Sequence, residues 1–438
     1  MLDQAQITYL LRRTEYVARS ARVTALMAMP TLAAAIDDIL AVPVPPALPT
    51  QIDHTDTTDQ WSQYVFTQQW WFDLMAFDSP RPIQEKMTFF WHGHFTSEWW
   101  KINDTLSMTT QNQLYRVNAL GNFATLAQAM ALQPAMLRYL DNADNTKSSP
   151  NQNFARELME LFLLGVGNYS EDDVVAAARA WTGHTISGST GTYAHLFKSA
   201  NHDTGSKTFL GQTGNWDGPD IITIILNTKS QIVARFIVGE LWSYFATPVG
   251  PQPLALDVIA AAFVMSGWDI KGAVKAILLL PEFYLPATMQ GLVRTPVDWI
   301  VAVMALTGYR GAKVNPQWYT DGMGQTPFVP PNVSGWHPNG AWINTSSMGA
   351  RADFAGDIVN QLRNDAAYNW DTLIVNATVA NAVGSVATLF ALGSLSATTL
   401  AGMTSYLVAE RGASDRNDWW QATNLLQMAL LAPEMHLA

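Results

Sequence analysis

The side chains best suited to chemistry are histidines and carboxylates that lie between Glu85 and Lys207. Five of the eight histidines fall in this stretch: His92, His94, His184, His195 and His202. Imidazole exchanges protons near neutral pH and is a common metal ligand, and a neighbouring carboxylate can share either task. The clustering therefore predicts that a functional site would be built mainly from this part of the chain.

The first candidate segment is EKMTFFWHGHF, which begins at Glu85. Glu85 and His92 are seven residues apart, so a helix would place them on one face, two turns apart. Gly93 is expected to end that helix. If the chain then continues in an extended conformation, His92 and His94 would point to the same side. The pair predicts a divalent transition-metal site with Glu157 as third ligand, or proton transfer shared with Glu85. Buried structural histidines are the alternative.

The second segment is NQNFARELMELF, where Asn153, Glu157 and Glu160 occur at i, i+4 and i+7 and share one helix face. This polar stripe borders an apolar face, and desolvation there would raise a carboxyl pKa toward acid–base use. The structural alternative is that Arg156 pairs with Glu160 along the helix while Glu157 meets a more distant arginine.

The third segment is NHDTGSK, in which His202, Asp203 and Lys207 lie in a loop that contains glycine. It offers a base, a carboxylate and a cation within a few residues, and loops held on a rigid scaffold commonly carry such groups. A turn with a solvated lysine is the alternative. All three segments are predicted to converge in space.

Composition excludes several classes of function. The 438 residues carry a net charge of −11 and no basic run, which argues against a nucleic-acid partner. The lack of cysteine excludes disulfides, thiolate metal sites and cysteine nucleophiles. The motifs of phosphate-binding loops, dinucleotide folds, zinc proteases and serine hydrolases are absent from the sequence.

Targeting signals and membrane spans are also not expected. The first 20 residues lack the charge and apolar run of a signal peptide, so the chain as written is expected to be cytoplasmic, or exported if a signal has been removed. No apolar stretch reaches membrane-spanning length, and Val386–Leu400 is interrupted by glycine, serine and threonine.

Apolar residues at helical spacing predict an all-α fold with irregular loops and a short β-like excursion near 183–218. After a first amphipathic segment around Ile7, the predicted helices are Thr31–Leu40, Asp59–Phe77, Pro82–Trp91, Leu106–Met136, Gln152–Leu164, Ser170–Thr182, Ile221–Thr228, Gln231–Phe245, Leu254–Ser266, Ile270–Leu280, Pro296–Leu306, Ala350–Arg363, Val383–Leu392 and Trp419–Leu431. Within Leu106–Met136, Pro134 predicts a break near the end. The β-like pieces are Tyr193–Phe197 and Lys207–Leu210.

Several long segments, in order, resemble the bacterial family called domain of unknown function 1800. They are LLRRTE at Leu10–Glu15, EKMTFFWHGHF at Glu85–Phe95, GNFATLAQAMALQPAMLRYLDNADN at Gly121–Asn145, PNQNFARELMELFLLGVGNYSEDDVVAAARAWTG at Pro150–Gly183, HDTGSKTFLG at His202–Gly211 and MGQTPFVPPNVSGWHPNGAWIN at Met323–Asn344. The resemblance departs at Gln152, where the family usually has Glu, and at Glu15, where glycine is usual. If the usual Glu is catalytic or a ligand, this member is altered or inactive.

The resemblance implies one helical domain over residues 1–438, frequent export and a sulfatase-like partner family encoded nearby, and it supplies no reaction. The subregions expected from the sequence are 1–182 helical with the main motifs, 183–218 irregular or β-like, 219–307 helical, 308–349 a loop rich in Pro, Gly and Trp, and 350–438 helical.

Two hypotheses remain at this stage. The first is an enzyme, metal-assisted in one form, that acts on a small polar or glycan-like substrate at a site walled by Trp91, Trp181 or Trp336. Its catalytic groups would be Glu85, Glu157, Glu160, His202, Asp203 and Lys207, with His92, His94 and Glu157 as metal ligands. The second is a non-catalytic binding or assembly protein in which these motifs are buried hydrogen-bond networks.

Overall fold

The structure is a computed structural model, and it describes residues 2–49, 52, 59–336, 339–414 and 417–437. Most of these residues are helical, and two small antiparallel sheets interrupt the helices, so the predicted fold class is confirmed.

The helices of the first half are α1 (Gln4–Thr14), α2 (Ser20–Met27), α3 (Leu32–Ile39), α4 (Gln60–Asp73), α5 (Ile83–His94), α6 (Trp99–Ile102), α7 (Thr105–Val117), α8 (Phe123–Ala131), α9 (Pro134–Tyr139), α10 (Asn153–Glu157) and α11 (Glu171–Ala180). Those of the second half are α12 (Gly218–Thr228), α13 (Ser230–Phe245), α14 (Ala255–Met265), α15 (Ile270–Leu279), α16 (Pro286–Met289), α17 (Pro296–Thr307), α18 (Gly311–Val314), α19 (Pro316–Gly322), α20 (Thr345–Arg363), α21 (Val379–Leu389), α22 (Ala397–Gly412), α23 (Asp418–Leu430) and α24 (Pro433–His436).

Many helices begin at a side chain that accepts a hydrogen bond from the first turn. Ser170 and Asp173 form a reciprocal capping box at the start of α11, and Asp217 and Asp220 form one at α12. Such caps satisfy amide groups that have no partner within the helix. The start of α11 was predicted from Ser170 and the acidic residues after it, and this is confirmed.

Several predicted helices differ from the structure; Asp59–Phe77, for example, ends in a π-helical turn at Leu74–Asp78. The predicted continuous helix before Pro134 is wrong, because the segment divides into α7 and α8; Asn122 leaves the helical conformation and caps α8 by accepting from the Thr125 amide. The predicted break at Pro134 is confirmed, since α9 begins there. The predicted Gln152–Leu164 is helical from Asn153 to Leu163, where α10 widens into a π-helical turn at Leu158–Leu163. Helix α22 was not predicted, because its threonines and serine obscure the apolar spacing.

The β-like excursion consists of two hairpins. Strand β1 (His184–Ser187) pairs with β2 (Ala194–Phe197), and β3 (Lys207–Phe209) pairs with β4 (Gln212–Gly214). Strands β2 and β3 correspond to the two predicted pieces.

Buried apolar residues form two clusters that meet at α5. One cluster includes α1, α3, α8 and α11–α15, and the other includes α4, α17 and α20–α23. Within α5, Met87, Phe90 and Trp91 belong to the first cluster and Phe89 to the second. The motif of the first candidate segment therefore lies at the seam between the two halves of the core.

Among the described residues, no single helix is long and apolar enough to cross a membrane. Helices α12 and α13 satisfy the length and hydropathy test only when they are taken together, and they bend by 89° between them.

Candidate functional site

Glu85 lies on α5 within a fully partnered buried network. Its carboxylate accepts from Arg116 Nε at 2.7 Å and Nη2 at 2.9 Å, and from the indole N–H of Trp71 at 2.9 Å. Both members of the ion pair have fully buried side chains. Burial of two charges is tolerated here because the carboxylate receives several directed hydrogen bonds. The contacts of Glu85 are thus those of a core ion pair.

His92 and His94 do not point to the same side. That expectation is wrong because α5 continues through Gly93 and ends at His94, and residues two apart on a helix lie on nearly opposite faces. His92 Nε2 accepts from the Phe328 amide at 3.0 Å, while His94 Nε2 faces the carbonyl oxygen of Phe162 at 3.0 Å and must therefore donate. Burial lowers the pKa of His92 to about 3 and that of His94 to about 4, so both rings are neutral at pH 7.

The predicted metal ligands are not assembled. In the part of the chain that the structure describes, no group of three or more His, Asp or Glu side chains is placed to hold a metal ion. His92 and His94 each bind backbone through Nε2 on different faces of α5, and Glu157 makes no hydrogen bond to either within the same residues. The opposed faces of α5 are the physical reason.

Glu157 and Glu160 lie half-buried at the transition from α10 to the π-helical turn. Burial, and then the nearby Glu160, raise the pKa of Glu157. Glu160 accepts from the Tyr169 hydroxyl, and Arg156 pairs with Glu171 at 2.7 Å in place of the predicted Glu160. Gln152 is exposed and accepts from Arg156 at 3.5 Å.

The third segment fastens its own loop. Ring nitrogen Nδ1 of His202 lies 2.8 Å from the Thr182 carbonyl and donates to it, and Asp203 pairs with Arg179 at 2.7 Å. Lys207 is buried and donates to the carbonyl oxygens of Asp203 and Gly205. A lysine that neutralises backbone carbonyl dipoles in this way holds the turn closed.

The three segments are neighbours, but their functional groups do not share one site. Phe162 of the second segment meets His94 of the first, and Phe154 packs against Trp181 near the third. Of the residues predicted to act chemically, only His94 lines a cavity that also contains an unpaired carboxylate.

That cavity, here called the seam cavity, has a volume of about 170 Å³ and lies between the two core clusters. It is lined by Phe89, Phe90, Gly93, His94, Glu240, Ser243, Tyr244, Leu292, Val293, Thr295, Asp298, Gln325, Ser334, Trp336, Asn339 and Trp342. A second cavity of about 620 Å³, the outer cavity, is lined by Leu164, Gly165, Asn168, Gln231, Ile232, Arg235, Phe236, Gly239, Glu240, Gln252, Asp257 and Ala260. Glu240 is the residue that the two linings have in common.

Helix α13 presents Glu240 to both cavities. Phe236, Glu240 and Tyr244 occur at intervals of four, so they share one face of this helix. Gly239 allows Gln252 to approach the helix: a Cβ at this position would lie 3.0 Å from Gln252 Oε1, and Gln252 Nε2 donates to the Gly239 carbonyl. The absence of a side chain at 239 thus lets the outer-cavity wall reach the helix beside Glu240.

Glu240 is the carboxylate without a partner. Within the described residues it makes no hydrogen bond and no ion pair, and its side chain is open to solvent in the cavities. Protein nevertheless surrounds it, and this burial raises the pKa of its carboxyl group. A carboxyl group with a raised pKa in a cleft is the usual environment of a general acid or base.

The opposite wall of the seam cavity comes from the segment Met323–Asn344. Trp336 stacks on Phe89 with ring centroids 5.3 Å apart and planes inclined by 11°. This approach requires Gly335, whose φ is +76° and where a Cβ would come within 2.3 Å of the Gly93 carbonyl oxygen. Gln325 and Asn339 accept from the amides of Val297 and Val293, which fixes the wall to the start of α17.

Asp298 is the second carboxylate of the seam cavity, and its environment is the opposite of that of Glu240. It pairs with the buried Lys86 at 2.9 Å, and the Tyr244 hydroxyl donates to the Lys86 carbonyl. Burial lowers the pKa of Lys86, and Asp298 opposes that shift. Two carboxyl groups in contrasting environments are a recurring arrangement at sites of proton transfer.

Glu240 and Asp298 were missed in the sequence because each stands in a helix that reads as apolar core. The signal that was available is the isolation of Glu240 within SQIVARFIVGELWSYF, where it is the single acidic residue. A lone carboxylate in an apolar run is expected either to find a partner or to face a cavity.

The model of a family described as a protein of unknown function (DUF1800) matches residues 9–437. The chain belongs to this family. No curated protein and no solved structure matches it. Three of the segments that resemble this family line the two cavities: Glu85–Phe95, Pro150–Gly183 and Met323–Asn344. The family description contains no reaction, so a functional conclusion depends on the cavities themselves.

Proposed function

We propose that this chain is an enzyme that uses Glu240 as a general acid–base group on a small, ring-shaped, hydroxylated substrate such as a sugar unit, bound in the seam cavity. The observation that carries the proposal is the lack of any hydrogen-bond or ion-pair partner for Glu240 among the described residues, at a position open to both cavities. Because its carboxylate is accessible from both cavities, its hydrogen-bonding capacity is available to a bound ligand.

His94 supports the same site. Because its Nε2 donates to the Phe162 carbonyl, its Nδ1 has a free lone pair, and no described residue donates to it. With a pKa near 4 the ring stays neutral, so it serves as a hydrogen-bond acceptor and as a poor proton donor at pH 7. A substrate hydroxyl is the matching donor.

The walls of the seam cavity suit a sugar ring. Aromatic side chains supply flat apolar surface for ring C–H groups, and Glu240, Ser334 and Asn339 supply polar atoms around it. A cavity of about 150 Å³ holds one benzene molecule, so about 170 Å³ is the scale of one six-membered ring.

The proposed chemistry is acid-catalysed cleavage of a bond to that ring. A protonated Glu240 would donate its proton to the bridging oxygen, and its raised pKa keeps a larger fraction protonated near neutral pH. Asp298, fixed by Lys86, would contribute a negative charge opposite a carbon that becomes positive in the transition state.

A substrate screen with matched variants tests the proposal. Purified protein is assayed on chromogenic glycosides, esters and amides of small rings, and Glu240→Gln is compared with Glu171→Gln, which removes an exposed carboxylate that lines neither cavity. We expect glycoside turnover that falls at least ~100-fold in Glu240→Gln and is unchanged in Glu171→Gln. Saccharide binding with no turnover by the wild-type protein would instead favour the non-catalytic binding protein.

A further inference from the structure

The two cavities that meet at Glu240 differ in size and in chemistry. The seam cavity measures about 170 Å³ and has aromatic walls, whereas the outer cavity measures about 620 Å³ and carries amide side chains. One compartment has the size of a ring, the other is larger, and they meet at the acid–base residue. The two sides of the reacting bond are therefore not equivalent. One side of the reacting bond has room for a single unit, and the other has room for several.

We propose that the enzyme acts on the end of an uncharged oligosaccharide chain and releases one terminal unit at a time. The terminal ring occupies the seam cavity, the bond to be broken lies at Glu240, and the following units lie in the outer cavity. This inference rests on the proposed function and extends it by naming the substrate class and the direction of attack.

The size of the seam cavity sets the limit of one unit. A cavity of ~150 Å³ holds one benzene molecule, so about 170 Å³ is expected to hold one ring and not two. The aromatic wall is also fixed, because Trp336 stacks on Phe89 and Gly335 packs directly on the Gly93 carbonyl. A chain interior cannot pass through this compartment, so the reacting unit must be a chain end.

The outer cavity indicates a neutral chain. Its one cationic side chain among the described residues, Arg235, pairs with Asp257 at 2.6 Å and donates to Gln252 at 2.7 Å. An anionic saccharide would therefore find no unpaired cation there, and Glu240 and Asp257 would repel it. The amide of Gln231 offers both donors and an acceptor to hydroxyl groups, while Asn168, whose Nδ2 donates to the Leu164 carbonyl at 2.9 Å, offers its Oδ1 as an acceptor.

The reaction balances as a hydrolysis. Glu240 gives its proton to the bridging oxygen as the bond between that oxygen and the terminal ring carbon breaks. A water molecule then bonds to the same carbon, and the proton it releases restores the carboxyl group of Glu240. The products are the free terminal unit and a chain one unit shorter.

The experiment follows product lengths and chain-length dependence together. Neutral oligosaccharides of increasing length, labelled at the reducing end, are incubated with the wild-type protein, and early products are separated by mass. Release of single units alone supports end-directed cleavage. Early products of several lengths would overturn this inference while leaving the role of Glu240 intact.

A matched pair of glutamine variants tests the outer cavity. Gln231 is an exposed residue of the outer-cavity lining, and Gln212 is an exposed residue of β4 outside both cavities, so each is replaceable without loss of core packing. We expect Gln231→Ala to raise KM several-fold for long chains, to leave kcat unchanged, and to spare a single unit joined to a small chromogenic group. Gln212→Ala should match the wild type on every substrate.

Two other results would count against the inference. An equal effect of Gln231→Ala on short and long substrates, or no effect on either, would show that the outer cavity does not bind the chain.

Gly93→Ala provides the complementary test of the seam cavity. The added Cβ would lie 3.6 Å from Trp336, without a clash, and would narrow the cavity. The Gly93→Ala variant should lower kcat/KM for substrates of every length. Unchanged rates would show that the terminal ring does not bind in the seam cavity. If no saccharide is turned over by the wild-type protein, the proposed function and this inference both fail.

Discussion

Glu85 and Glu240 are carboxylates on two helices of the same core, and their surroundings are opposite. Every oxygen of Glu85 is engaged, by Arg116 and by Trp71, and the pair is closed to solvent. Glu240 has no partner in the described residues and opens into two cavities. The first residue lies in the most conspicuous motif of the sequence, and the second lies in a helix that reads as ordinary apolar core.

This difference teaches that conspicuous polar motifs in a helical protein can be structural. His92 holds the Phe328 amide, Lys207 holds the Asp203 carbonyl, and Asp203 holds Arg179. Each of these side chains fixes a loop in place, as irregular segments require where no regular ladder satisfies their backbone. A residue that acts on a ligand should instead retain unused hydrogen-bonding capacity, as Glu240 does.

Removal of Glu85, the buried partner of Arg116, should have the largest effect on stability. Glu85→Ala leaves the Arg116 guanidinium buried without its counter-charge, and we expect a loss of about 3–5 kcal/mol in the free energy of unfolding. Urea denaturation measures it. The control is Glu171→Gln, whose exposed ion pair should contribute little to the free energy of unfolding because solvent screens it. Similar losses in the two variants would contradict the assignment of Glu85 as a core ion pair.

Loss of the contact between His92 and the Phe328 amide should have the next largest effect on stability. His92→Ala leaves the Phe328 amide buried without an acceptor and opens a space beside Trp71 and Trp336, so the free energy of unfolding should fall by at least ~1–3 kcal/mol. Chelator treatment should not change the unfolding midpoint of the wild-type protein, since no described residues hold a metal at this position. A chelator-dependent midpoint that His92→Ala abolishes would restore the metal-site hypothesis.

Much of the fold was predictable from the sequence because apolar spacing and capping residues are local signals. The start of α11 and most of the other helices follow from such patterns. The division of 106–136 was predictable only in part: Pro134 marks the start of α9, whereas the apolar spacing continues across the earlier break, which only Asn122 and the glycine before it mark. The π-helical turn at Leu158–Leu163 also has no local sequence signal.

The candidate site was less predictable, because it is assembled from segments far apart in the chain. His94 was identified as chemically suitable, but its partners across the cavity come from α13, α17 and Met323–Asn344. Whether a carboxylate such as Glu240 is paired or free depends on which of these segments pack beside it. Sequence spacing within one helix contains no information on that point.

The smallest predicted effect is a pH dependence of stability that depends on Glu240. Burial raises the pKa of Glu240, so the folded state binds its proton more tightly than the unfolded state. Its stabilising contribution is fully present below the unfolded pKa of about 4.3 and is lost as pH rises through the folded pKa. Glu240→Gln should therefore be as stable as the wild type under acidic conditions and more stable than it at neutral pH.

Urea denaturation of both proteins across this pH range measures the effect. Glu171→Gln is the control of opposite sign, because Arg156 lowers the pKa of the Glu171 carboxyl, and the wild type should gain on this variant as pH rises. A wild-type protein that is more stable than Glu240→Gln at neutral pH would mean that the carboxylate has a stabilising partner. Glu240 would then belong with Glu85 among the structural carboxylates, and the seam cavity would lose its proposed acid.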